Sequence, residues 1–238
     1  MQKILSSKFV WLGVVVAALV GLLVVQMQVA RSPVYASTNS AADFTEGVHY
    51  KLIDPPIDAN ILGREADSAA INVTEFFWYG CPHCQYFEPL VEEWQSAFTD
   101  DLSFEQVPVV WNDLTQLHAS IYYLGLESKD PTGLHHKLFE EVIALRKQRD
   151  PNVQLGQLGE VLMAFGVDPE KIRENLNSPS IRERVARANQ LMRAAQVSST
   201  PTLMVDYRWA ILNDKETGEA GIFNVANHLI ELARQARE

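Results

Sequence analysis

Cysteine is nearly absent from this chain: 238 residues hold two, Cys81 and Cys84. A disulfide-stapled scaffold is excluded, because one pair cannot brace a chain of this length. Glycine (12) and proline (11) are too sparse for a collagenous or low-complexity protein. Positive charge is also short, with 20 Lys and Arg against 30 Asp and Glu and a net charge of −10. Every acid lies beyond Ala36, while Lys3, Lys8 and Arg31 lie before it, so the body of the protein is still more acidic than the whole. A polyanion such as nucleic acid is therefore not an expected partner. What the chain does have is apolar residues, at 47%, enough for one sizeable core.

The apolar residues are unevenly spread. Phe9 to Val25 is uncharged and apolar behind Lys3 and Lys8, the pattern of an export signal. Two readings stay open for residues 1–36. One is a signal peptide cut after Val34-Tyr35-Ala36; the other is an uncleaved anchor that uses residues 9–30 to span a bilayer. In both, the short basic end stays in the cytoplasm and the rest is exported, which implies the periplasm and an oxidising environment. A Ser/Ala/Asn linker, residues 37–43, follows.

Beyond the linker the hydrophobic period changes twice. His49 to Asp54 reads as a short strand stopped by Pro55-Pro56, and Ile71 to Tyr79 as a buried central strand. Phe87, Val91, Trp94 and Phe98 then recur at helical spacing, placing a helix start at Cys81-Pro82. Leu102 to Trp111 alternates as a strand. From Asn112 to Gln196 four apolar stripes of helical period follow, punctuated by Gly125, Pro131, Pro151, Gly166 and Pro179. Thr202 to Val205 and, more weakly, Tyr207 to Leu212 return to strand character. Asn213 to Gly218 reads as a turn, and Ile222 to Arg237 as a closing amphipathic helix. The order implies an α/β protein in two parts, 44–111 and 197–238, separated by an all-helical insertion over 112–196.

One motif carries chemistry: Cys81-Pro82-His83-Cys84 where a buried strand feeds a helix. A thiol at a helix N-terminus meets unpaired backbone N–H groups and the positive end of the helix dipole, both of which favour the thiolate. His83, when protonated, adds positive charge, and Pro82 fixes the first turn at a position where its missing N–H costs nothing. Two intervening residues leave the sulfurs within bonding reach, so the pair can cycle between dithiol and disulfide. A structural disulfide rarely closes so short a loop, and zinc lacks a second cysteine pair even with His135-His136 at hand, so no metal is expected. A second signal is Ser198-Ser199-Thr200-Pro201 leading into a strand, which by itself is a turn.

Taken together these residues resemble the DsbA-type periplasmic thiol:disulfide oxidoreductases of the thioredoxin superfamily. The resemblance rests on Glu75 to Tyr79, Gly80, the Cys81–Cys84 motif, Pro89, Thr200-Pro201, and the helical block between the two halves; it covers the chain from about Phe44. It implies a thioredoxin fold interrupted by a helical insertion. Cys81 is similar to the exposed nucleophile at the helix tip, Cys84 to the buried resolving thiol one turn in, and Pro201 to a cis-proline facing them. Thr200 would offer its backbone to an extended substrate. Glu75 occupies the place of a buried carboxylate that exchanges a proton with Cys84, and its neighbours Phe76 and Phe77 favour burial over a solvated strand edge.

The activity implied is donation of disulfides to cysteine-containing exported proteins, by a monomer. It needs no cofactor beyond its own cysteine pair, and a membrane quinone-linked DsbB-type partner would reoxidise it. Alternatives on the same fold are a disulfide isomerase or reductase, to which Thr200 before the proline lends some room, a glutathione-dependent isomerase, and a redox-inactive peptide-binding chaperone. The last two sit poorly with an intact cysteine pair and an export segment. Trp78 and Tyr79 read as core packing. Arg146-Lys147-Arg149 and Arg182, Arg184 and Arg187 read as solvated faces, and His118, His135 and His136 as surface or satisfied histidines.

Overall fold

Seven consecutive β-branched, aromatic and polar residues, Ile71–Phe77, form a strand that is buried on both faces, and the sheet is built outward from it. The computed structural model describes residues 44–62, 70–170, 172–212 and 218–238. The export segment (1–36), the linker (37–43) and most of the turn expected at Asn213–Gly218 lie outside the described residues. No helix among those described is long and apolar enough to cross a membrane.

The strands are β1 (Tyr50–Leu52), β2 (Ile71–Phe77), β3 (Leu102–Pro108), β4 (Thr202–Val205) and β5 (Trp209–Ile211), in the order β1-β5-β4-β2-β3. Strand β3 is parallel to β2, with Glu75 opposite Gln106, while β4 is antiparallel to β2, with Glu75 opposite Leu203. The parallel pair needs a crossover, supplied by helix α2 (Pro82–Gln95), which follows the short α1 (Ala59–Leu62). Five helices then separate β3 from β4: α3 (Asp113–Gly125), α4 (Pro131–Ala144), α5 (Pro151–Ala164), α6 (Ile172–Leu176) and α7 (Pro179–Ala194). The closing helix is α8 (Gly218–Gln235). This is an α/β fold with a helical insertion.

Local chemistry explains most boundaries. Asn112 caps α3 through a capping box with Thr115, and Gly166 takes a left-handed conformation (φ 88°) just past the end of α5. Three boundaries differ from the sequence reading. Strand β3 ends at Pro108, which brings no N–H to continue a ladder, although Val109 and Val110 stay buried. The second C-terminal strand starts at Trp209 and not Tyr207, because Asp206 and Tyr207 both have positive φ (53° and 55°) and, with Arg208, form the turn between paired Val205 and Trp209. Helix α6 is a single turn and a half that produced no stripe of its own.

Two aromatic clusters hold the layers together. Phe87 of α2 stacks on Phe223 of α8 at 4.9 Å with rings 2° from parallel, and Trp94 adds a tilted ring at 5.0 Å. On the insertion side, Phe77 meets Tyr122 edge-on at 5.1 Å, and Tyr79 meets Phe139 at 5.0 Å. Such rings contribute area burial and a favourable edge or offset geometry. Phe87 and Phe223 are both fully buried. Replacing Phe87 by Ala should therefore cost about 3–5 kcal/mol in denaturant unfolding of the reduced protein. A loss under about 1 kcal/mol would mean that this stack does not anchor α2 to α8.

Candidate active site

Four helices begin with proline at the first helical position: α2, α4, α5 and α7. Before three of them stands an ordinary cap. Asp130, Asp150 and Ser178 each accept a backbone N–H, from Gly133, Asn152 and Ile181 respectively. Before α2 the N-cap residue is Cys81, in an extended conformation and with no side-chain cap hydrogen bond. Where the other three helix starts offer an oxygen acceptor, this one faces a sulfur.

That sulfur is acidic. Its pKa falls from a thiol's 9.0 to about 5. The largest cause is a hydrogen bond with the Cys84 thiol; burial opposes it, and hydrogen bonds with Thr200 and with the backbone N–H groups of Cys84 and His83 add to it. His83 thus acts through its main chain, while its side chain is exposed. Cys84, fully buried, is pushed the other way by desolvation and by the neighbouring Cys81 and Glu75 charges, so it stays a thiol. The two cysteines are free in this structure, and their roles are already split by environment.

Cys81 departs from the open helix tip read from the sequence: 8% of its surface is exposed. The cause is the segment before β4, which closes over it. The Cys81 Sγ donates to the Thr200 carbonyl at 3.3 Å, and the Thr200–Pro201 bond is cis. Gly80 tightens the turn from the other side. A Cβ there would fall 2.3 Å from the Trp78 indole, so any side chain would displace that ring.

Beneath the pair, Glu75 is wholly buried on β2. Its carboxyl is raised from 4.5 to about 8, mainly by desolvation and then by Glu88. Gln106 sits between the two acids and donates to Glu75 Oε2 at 3.0 Å and to both Glu88 oxygens at 3.1 and 3.0 Å. Sequence reading did not single out Glu88 or Gln106. Glu88 follows Cys84 by one helical turn and lies among apolar residues, and Gln106 is Glu75's neighbour in strand register; both signals need the sheet pairing to be read.

Other expectations divide. Tyr79 is buried as core, but its hydroxyl pairs with His135 Nδ1 at 2.8 Å. His118 is buried and satisfied, accepting from Trp78 Nε1 at 3.0 Å and meeting Gln154 Oε1 at 2.8 Å, and burial lowers its pKa. His135 is buried with no hydrogen-bond partner at Nε2, contrary to a satisfied histidine, while His136 is exposed. Arg182 and Arg184 are exposed, but Arg187 is half-buried because it pairs with Glu105 at 3.1 Å and donates to the Leu62 carbonyl.

Comparison with known proteins converges on one family. Residues 91–229 match the model of the DSBA-like thioredoxin domain. The chain is 28% identical over 215 residues to the thiol:disulfide interchange protein DsbA of Pseudomonas aeruginosa, covering 90% of this chain and 97% of that protein. It is 32% identical over 189 residues to the protein of the same name from Bordetella parapertussis, covering 78% of this chain and 85% of that one. The crystal structure of Pseudomonas aeruginosa DsbA superposes with a TM-score of 0.69 at 27% identity, over 83% of this chain and 98% of that one.

The two perturbed acids make opposite marks on stability. For Cys81 the folded value, about 5, lies below the ordinary 9.0, so its contribution to the reduced fold is full above pH 9 and fades as pH falls towards 5. Titration of ultraviolet thiolate absorbance should accordingly find a midpoint near 5. Glu75 runs the other way. Between pH 4.5 and 8 the folded protein keeps a proton that the unfolded chain has lost, so stability declines as pH rises through that window. Glu75→Gln should remove this decline, leaving the variant relatively more stable at pH 8 than at pH 4.5 when both proteins are unfolded in guanidinium. Parallel pH profiles for the two proteins would show that Glu75 does not hold that proton.

Proposed function

The chain belongs to the DSBA-like thioredoxin domain family, and from that premise we propose how its cysteine pair works as a periplasmic disulfide donor. The protein is a thiol:disulfide oxidoreductase. Exchange begins from the Cys81–Cys84 disulfide. A substrate thiolate attacks Cys81 Sγ, the internal S–S bond breaks, and Cys84 leaves and takes up a proton. Glu75, protonated at neutral pH and close enough for its charge to act on Cys84, is the group suited to deliver it. A second substrate thiolate then attacks the substrate sulfur of the mixed disulfide. The substrate departs oxidised, and both electrons stay on the enzyme as the Cys81 thiolate and the Cys84 thiol. The electron carrier is the cysteine pair itself, so the exchange calls for no separate cofactor.

The observation that carries this reading is the contrast between the two sulfurs. Cys81 is a good leaving thiolate with a pKa near 5, and Cys84 is a buried thiol. A stabilised reduced form makes the disulfide oxidising, a linkage for which DsbA itself is the standing example. Thr200, whose carbonyl already contacts Cys81 Sγ, would present its backbone to an extended substrate beside Pro201, and Pro82 with His83 shapes the opposite lip. Substrates are cysteine-containing exported proteins, and a quinone-linked membrane partner of DsbB type would take the electrons from the monomeric enzyme. Residues 9–30 would either be cut away with the signal or keep the domain at the membrane.

With Cys84→Ser the mixed disulfide loses its internal escape, so covalent complexes with exported proteins should accumulate and run as discrete bands without reductant. Cys81→Ser should leave almost none. Equal trapping by both variants would reverse the nucleophile assignment. Equilibration of the wild-type protein with glutathione should place the pair well on the oxidising side of an ordinary dithiol.

A further inference from the structure

One to two turns of α2 beyond the thiols, two carboxylates meet two imidazoles of α4. Glu88 and Glu92 lie one turn apart on α2, and His135 and His136 are adjacent on α4. One donor atom from each of Glu88, Glu92 and His136 lies within 4.8 Å of the other two. Tetrahedral zinc with N and O ligands at about 2.0–2.2 Å places its donors about 3.3 Å apart. Glu92 and His136 are exposed and already paired at 2.9 Å, so closing the remaining gap to Glu88 needs only about an ångström of movement.

The buried side of the cluster supplies the independent observation. His135 is 7% exposed, and its Nε2 has no hydrogen-bond partner although it lies 3.3 Å from Glu88 Oε1. Its other nitrogen is held by the Tyr79 hydroxyl at 2.8 Å, and Glu88 is held by Gln106. Fixing the far nitrogen of an imidazole and the carboxylate beside it is what outer-shell partners do in metal sites. A cavity of about 450 Å³ is lined by Glu88, Glu92 and His135, and exposed Glu92 at its edge gives an ion a path in.

We propose that Glu88, Glu92 and His136, with His135 as the inner imidazole, bind a divalent transition-metal ion of the zinc class across α2 and α4. Imidazole donors disfavour magnesium and calcium, which take oxygen shells, and the absence of sulfur from the cluster disfavours copper(I). Without a cation, two carboxylates one turn apart face each other across the same imidazoles, each beside one of them: Glu92 by His136 at 2.9 Å and Glu88 by His135 at 3.3 Å. The site adjoins the acid beneath the thiol pair, since Gln106 links Glu88 to Glu75, but its existence does not depend on the exchange reaction.

The test is calorimetric titration of Zn²⁺ into the full chain in its oxidised form, where the Cys81–Cys84 disulfide cannot ligate. One saturable site is expected. His136→Ala and Glu92→Gln should each weaken it by at least about tenfold, and both exposed positions should tolerate the change with unaltered circular dichroism. Zinc should also raise the thermal midpoint of the wild-type oxidised protein and leave that of the double variant where it was. Absence of a saturable site, or an affinity unmoved by both substitutions, would reduce the cluster to a surface ion pair and overturn the proposal.

Discussion

The first N–H groups of a helix must find acceptors, and at the start of α2 they face a sulfur in place of a cap oxygen. Part of the acidity of Cys81 follows from that substitution of atom types, alongside the larger effect of the Cys84 hydrogen bond. Caps such as Asp130 and Ser178 satisfy their helices with oxygen. A thiol at the same position is a poor cap until it loses its proton, whereupon it becomes a charged acceptor facing the helix dipole. The helix is thus best completed when the cysteine is reduced and ionised, and less well completed when it is tied up in a disulfide. Helix capping and redox preference are one interaction seen from two sides.

The second constraint lies below the first. Two carboxylates, Glu75 and Glu88, are buried around the neutral amide of Gln106, with no cationic side chain among their hydrogen-bonding partners there. Two like charges so placed in a desolvated region cannot both ionise cheaply, and the raised Glu75 expresses that. The arrangement weakens the fold at neutral pH, because Glu75 there holds a proton that the unfolded chain would release. A lysine at position 106 would settle the charges and remove the reason for the proton to stay.

The architecture was legible where one element carried its own signal. Ile71–Phe77 announced a buried strand by composition, Pro82 and the period of Phe87, Val91 and Trp94 announced α2, and the prolines at 131, 151 and 179 marked helix starts that the structure places one residue after their caps. Cys81 and Cys84 were legible because their spacing and the strand-to-helix junction lie within a few residues. What the sequence did not disclose depends on distant segments meeting. The covering of Cys81 by Thr200 spans 119 positions, the Tyr79–His135 bond spans 56, and Arg187 reaches Leu62 across 125. Periodicity has no access to such pairings, which is why an exposed helix tip was expected where a covered one is found, and why His135 passed as ordinary.

That long separation between Cys81 and Thr200 has a consequence for the newly made chain. Synthesis runs from the N-terminus, so the cysteines emerge well before β4, and the central strand β2 lacks its antiparallel neighbour until then. During that interval Cys81 stands at the end of an unsupported segment, with neither the Thr200 contact nor a packed helix behind it. Arrival of the segment before β4 is the event that covers Cys81 with the Thr200 carbonyl, so burial of this thiol is timed by topology and not by a separate step.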